Sequence, residues 1–308
     1  MSAAGTQLCV VHLARAANGT APLRAFLESY ARHPAGAEHE LLLLFKGYGG
    51  DGEALPAELE ALLGEVKHQR RHIPDRGYDV DAYFEAARAH AAGVYCFLNS
   101  YSVILADGWL AKLHRALVEQ GAGMVGATGS WQSMSSNYAD TRLPGFTLHA
   151  AYPAWKRRLL AVLPFLARLL PWLRERLLLG AFEPFPNPHL RTNAFMLARE
   201  TALGVRVGAM RWKYDAHRFE SGRRGLTRQV LDAGKAVLVV GRDGMAYDRA
   251  DWHSSNTFWR RDQGNLLVAD NQTRMYERSG PQLRAVHSLI AWGPAAEPRL
   301  ERERAAGA

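Results

Sequence analysis

The sequence predicts one α/β domain built on a mainly parallel central sheet with helices on both faces. Three observations lead there. Short unbroken apolar runs, such as LCVVHL (8–13) and VYCFL (94–98), have the character of strands buried on both faces. Between them lie longer stretches whose apolar residues recur at helical spacing, joined by short polar turns. The chain has 308 residues, 48% of them hydrophobic, which is enough for a sizeable core, and it carries no internal repeat or low-complexity block.

The elements follow in order. Leu8 to Leu13 is a strand, and Ala21 to Arg32 is a helix with Leu23, Phe26, Leu27 and Tyr30 along one face. His39 to Gly47 is a second strand, Pro56 to Val66 a helix, Lys67 to Pro74 a weaker strand and Val80 to Ala92 a helix. Val94 to Leu98 is a strand, Ala106 to Glu119 a helix and Gly123 to Ala127 a strand. Such strand–helix alternation predicts parallel pairing through crossover helices. Thr128 to Arg142 is Ser-rich and is expected to be a loop. Trp155 to Leu179 interleaves basic residues with leucines. After the Pro184–Pro188 segment the alternation resumes, with a strand-like HLRTNAFMLAR (189–199), a helix over Leu226 to Ala233 and a strand over Lys235 to Gly241. The expected organisation is one domain over 1–285, interrupted by an insertion at about 150–182, and a tail over 286–308 rich in Ala, Pro, Glu and Arg.

Composition narrows the function classes. Cys9 and Cys96 both sit in apolar strand runs and are expected to be buried thiols, which suits a reducing compartment. The N-terminus lacks the basic-then-apolar order of a secretory signal, so a cytoplasmic location is expected. A net charge of +8 favours a polyanionic neighbour. Arg168, Arg174, Pro164 and Pro171 make 155–179 unsuited to crossing a membrane. Its cationic, Leu-rich character suits peripheral contact with an anionic bilayer, and packing on the domain or on a second copy is the alternative. There is no P-loop, strand-linked G-x-G-x-x-G, zinc-spaced Cys/His cluster or G-x-S-x-G elbow. A nucleic-acid-binding role finds no motif either.

The chemistry-bearing residues gather at strand ends. Open α/β sheets bind ligands at the carboxyl ends of their strands. There the sequence places Arg15, Asn18 and Gly19 after the first strand, and Asp75, Gly77 and Asp79 after the third. Asn99, Ser100 and Ser102 follow the fourth. Arg15 suits a phosphate, and Asp75 suits a ribose or base donor. Each loop alone is also explained by ordinary turn chemistry.

With these segments in view, the chain resembles an inverting glycosyltransferase of the GT-A fold, of the large family-2-like bacterial group that builds polysaccharides from nucleotide sugars. The resemblance rests on the Ala14–Gly19 loop, the Asp75–Gly77 segment, and FLNSYSVILADGWLAKL (97–113). Phe219–Gly222 followed by a helix, a Gly and a strand completes it, and it covers about residues 6 to 260 without the insertion. It implies a nucleotide-sugar donor, a saccharide or lipid-linked acceptor and single displacement at the anomeric carbon. By position it implies Glu220 as the general base, with Asp215 as the alternative. The family's metal-binding Asp-x-Asp is replaced here by Asn99-Ser100-Tyr101-Ser102. A divalent cation, Mg or Mn, is therefore not expected at that place. Arginine is expected to neutralise the diphosphate instead, Arg191 first and Arg15 second. Side-chain alternation along a strand would put His189, Arg191 and Asn193 on one face. His189, Asn193, Trp131 and Trp252 are the acceptor-side candidates, and His253 is the one residue suited to a late metal ligand. A GT-A domain that binds a glycan or a protein partner without turnover is the alternative.

Overall fold

The computed structural model describes residues 7–50, 54–64, 66–135 and 180–293. The Leu-rich run 155–179 lies outside them. The expected mixed α/β architecture is present: an eight-stranded sheet, parallel apart from two strands, with helices on both faces.

The strands are β1 (Leu8–Arg15), β2 (Glu40–Lys46), β3 (Gln69–Ile73), β4 (Val94–Leu98), β5 (Val103–Ile104) and β6 (Ala122–Gly126). They continue as β7 (Gly129–Ser130), β8 (His189–Leu190), β9 (Ala194–Ala198), β10 (Ala236–Val240), β11 (Ala246–Tyr247) and β12 (Val268–Ala269). The order in the large sheet is β11-β10-β6-β9-β4-β1-β2-β3. Strand β9 runs antiparallel between β4 and β6, and β11 pairs antiparallel with β10.

The helices are α1 (Ala21–Arg32), α2 (Ala57–Leu63), α3 (Asp79–Ala89), α4 (Trp109–Glu119), α5 (Arg199–Gly204) and α6 (Lys213–Ser221). They end with α7 (Leu226–Asp232), α8 (Asn271–Arg278) and α9 (Pro281–Trp292). The period-two alternation of strands divides the core in two. Val10 and Ala14 of β1 pack with α1, α2 and α4 through Phe26, Leu59 and Trp109. Cys9, Val11 and Leu13 pack on the other face with Tyr83 and Phe84 of α3 and Phe219 of α6.

Two expectations change. The run 189–199 is not one strand: β8 pairs with β7, β9 pairs with β4 and β6, and Arg191–Asn193 bridges them. Strand alternation therefore does not relate His189, Arg191 and Asn193. The tail does not begin at 286, because α9 continues to Trp292 and buries Ala291 and Trp292 completely. Among the described residues, no helix is long and apolar enough to cross a membrane.

Candidate functional site

The carboxyl ends of β1, β2, β3 and β4, with the start of β9, form one sheet edge, and most of the candidate residues meet there. At the β1 end, the Arg15 guanidinium clasps Asp75 with two bonds of 2.9 and 3.2 Å. The pair is about 39% and 38% exposed, so it is open to exchange with a ligand. The bond from Arg15 is the main reason that the Asp75 carboxyl is held below the usual range. Asn18 is half-buried in the short 3-10 turn that follows, and Gly19 takes φ +70°, as the Asn-Gly turn requires.

Lys46, the last residue of β2, is 1% exposed and donates to the Gly77 carbonyl at 3.0 Å. That bond ties the β3 loop to the β2 end. Burial pushes the ammonium down, and the nearby Asp79 carboxylate opposes this. Asp79 itself is pushed up by burial, against Lys46 and Arg15. Gly77 sits at φ +63°, where a Cβ would lie 2.1 Å from Asp81 Oδ2. Asp81 uses that oxygen to accept from the Tyr78 amide at 3.1 Å, capping α3. Beside this loop opens a 610 Å³ cleft lined by Pro74, Arg76, Gly77, Arg88, Met210 and Arg211, among others.

At the β4 end the Asn-Ser-Tyr-Ser segment is a closed turn. Asn99 Oδ1 accepts from the Tyr101 amide at 3.0 Å and the Ser102 hydroxyl at 3.1 Å. Ser102 is fully buried and also reaches the Asn193 carbonyl at 3.3 Å, so it is not available to a ligand as expected. The hydroxyl of Ser100 and the amide nitrogen of Asn193 are buried with no partner among the described residues. Orphaned donors of this kind call for a water or a ligand. With Asn99 Oδ1 committed, and no carboxylate in the turn, the donor set does not suit a divalent cation.

The carboxylate assigned as base lies next to this turn. Glu220 Oε1 accepts from the Thr192 amide at 2.7 Å and its hydroxyl at 3.2 Å. The neighbouring Asn193 carbonyl accepts from the Asn99 amide at 2.9 Å. Glu220 belongs to the last turn of α6, not to a turn before a helix. It lines a 360 Å³ cavity with His189, Asn187, Arg223, Arg228 and Arg249. Burial holds the His189 imidazole down, with Glu220 pulling the other way. Trp131 is half-buried at this end, its indole donating to the Arg249 carbonyl at 3.1 Å, and His253 lies against it with ring centroids 5.1 Å apart. His253 Nδ1 engages the Ala250 carbonyl at 3.0 Å.

Besides Ser102, three further assignments need correction. Asp215 caps α6, accepting from the Arg211 and Trp212 amides at 3.0 and 2.9 Å, so its chemistry is spent on the helix start. Trp252 is 0% exposed and its indole donates to the Tyr247 carbonyl, leaving no face for a sugar. Arg191 is locked to the fully buried Asp270 at 2.7 Å and stacks on Phe258 at 4.1 Å, so it is not free for a diphosphate. The sequence reading missed Lys46, whose only signal was a lone lysine closing the apolar run LLLLF, and Asp270, whose partner is 79 residues away.

No protein-family model and no curated protein sequence matches the chain. Among solved structures it aligns with glucosyl-3-phosphoglycerate synthase from Mycobacterium tuberculosis, in complex with Mn2+, uridine diphosphate and glucosyl-3-phosphoglycerate. The identity is 17% and the TM-score 0.33, over 64% of this chain and 58% of that one. The chain thus spans less than two thirds of that synthase's length. A 4-diphosphocytidyl-2C-methyl-D-erythritol synthase from Anaerococcus prevotii aligns at 12% identity and TM-score 0.41, over 76% of this chain and 88% of that one. TarS from S. aureus aligns at 12% identity and TM-score 0.29, covering 39% of this chain and 34% of its own.

Proposed function

We propose that the chain transfers a sugar from a nucleotide-activated donor to a saccharide or lipid-linked acceptor by inverting single displacement. The observation that supports this best is the juxtaposition at one sheet edge. Arg15, Asp75 and the Lys46-anchored Gly77 loop stand at one end, and Glu220 stands beside the Asn99 turn at the other. In this scheme the donor lies over the ends of β1, β3 and β4. A donor phosphate takes Arg15 from Asp75, freeing the carboxylate for a ribose or base donor. Glu220, oriented by Thr192, removes the acceptor hydroxyl's proton as the nucleotide leaves. The acceptor enters through the cavity that Glu220 lines. The donor set of the β4 turn, which lacks a carboxylate, gives a divalent metal no foothold.

Calorimetry against a panel of nucleoside diphosphates and monophosphates tests this proposal. Binding of at least one, weakened by Arg15→Ala, is expected, and binding to none of them ends it. A second possibility, a domain that binds without turnover, is favoured by the closed Asn99 turn and the committed Arg191. It would show nucleotide or glycan binding with no transfer, and Glu220→Gln would leave the cellular role intact. Peripheral attachment at the inner membrane face through 155–179 and a place in surface-polysaccharide synthesis complete the proposal. Co-sedimentation with anionic but not zwitterionic vesicles is the check on attachment.

A further inference from the structure

A second cluster of reactive side chains lies at the opposite edge of the sheet. Cys9 and Glu40 are direct neighbours across β1 and β2, at the amino ends of both strands. His90, which ends α3, joins them from the helix layer. Their ligand atoms all lie within 4.8 Å of one another. Glu40 Oε1 and His90 Nε2 are 2.5 Å apart. Gln69 donates to Glu40 Oε2 at 3.0 Å. The backbone of His90 is held in turn, since its carbonyl accepts from Arg199 at 2.9 Å and from the Tyr95 hydroxyl. Three residues from three elements are therefore brought together by the fold and not by local sequence. This is why spacing gave no sign of them.

We propose that Cys9, Glu40 and His90 bind a zinc ion, with water as the fourth ligand. The donor set decides the metal class. A thiolate, an imidazole and a carboxylate together suit zinc, whereas magnesium and calcium take oxygen alone. Binding replaces the thiol proton with the metal, and the proton is released to solvent. Gln69 then supports the ligating carboxylate from outside the coordination sphere. The ion clamps the starts of β1 and β2 to the end of α3. Cys9 and Arg15 are six residues apart along one strand, about 20 Å at ordinary strand rise, so this ion cannot touch a donor diphosphate. None of the three ligands lines either cleft described above. The site is accordingly structural, and it stands whether or not the chain is a glycosyltransferase.

Chelator-treated full-length protein titrated with cobalt chloride, then with zinc chloride, tests the site. One equivalent of cobalt should produce a thiolate-to-cobalt charge-transfer band, zinc should displace it, and zinc should raise the melting temperature. Cys9→Ala should abolish the band and weaken zinc binding at least tenfold, while Cys96→Ala should change neither. His90→Gln, which replaces a half-buried side chain at the end of α3, should also weaken binding at least tenfold, and it decides the matter if Cys9→Ala does not fold. No charge-transfer band in the unmodified protein, or zinc affinity unchanged in His90→Gln, would overturn the proposal and leave the trio as a hydrogen-bonded cluster.

Discussion

Asp270 is 0% exposed, and Arg191 supplies its balancing charge at 2.7 Å. Removing that arginine leaves a buried carboxylate with only the capping bond from the Thr273 amide, which costs about 3–5 kcal/mol. Arg191→Ala is therefore expected to lower stability by that order in urea unfolding, with nucleotide affinity of the folded protein unchanged. A stable variant with lost nucleotide affinity would instead return Arg191 to the donor site. Glu220 should behave in the opposite way. Glu220→Gln keeps an oxygen to accept from Thr192 but removes the proposed base. Turnover should fall about a hundredfold or more while nucleotide affinity holds, because the base acts on the acceptor. Calorimetry and initial rates on the same preparation separate the two cases. These two residues also show what the sequence could not supply. Glu220 is a candidate base because of its place in an order of segments. The partner of Arg191 was not, because a contact across 79 residues leaves no periodic trace.

At the level of elements, the loop from β3 into α3 links fold and site. It holds its shape through Lys46, through the Asp81 cap and through a left-handed Gly77. Gly77→Ala forces a side chain into the left-handed region, at about 1–2 kcal/mol, and sets a Cβ 2.1 Å from the capping carboxylate. Both stability and nucleotide affinity should drop, by thermal melting and calorimetry. Lost affinity at unchanged melting temperature would mean that the loop is not held as described. The strands and helices of the first half were legible because each carries its own local signal, an unbroken apolar run or a helical spacing. Leu41 to Phe45, for example, is apolar throughout and buried throughout. Legibility failed at 189–193, where a continuous strand-like run concealed a change of sheet partner between β8 and β9. It also failed at 286–292, where the last turns of α9 bury only Ala291 and Trp292. Neither change of partner nor docking of a terminal helix is written in local spacing.

Across the described residues, two histidines are buried and two more are half-buried with lowered pKa values, and this makes stability depend on acid. His12 of β1 is the extreme case: it is 0% exposed, stacked on Phe26 at 3.8 Å, and neither ring nitrogen has a partner among the described residues. Burial alone lowers its pKa to about 3. His189, His217 and His287 are lowered for the same reason. Unfolded histidine titrates near 6.5, so between about pH 6.5 and 3 the unfolded chain binds a proton at position 12 that the folded chain refuses. The stabilising effect of keeping His12 neutral is complete above pH 6.5. It is lost as pH falls, by up to about 1.4 kcal/mol per unit. Asp79, raised by burial, acts in the reverse sense nearer the carboxylate range, so the slope of the whole protein is a mixture. A single substitution isolates the histidine. His12→Leu keeps an apolar side chain against Phe26, removes two unpaired nitrogens and cannot take up the proton. Its stability relative to the unmodified protein, from urea unfolding at pH 7, 5.5 and 4.5, should rise steadily as the pH falls. A difference that stays constant with pH would mean that the imidazole at position 12 finds a proton or a partner inside the folded sheet.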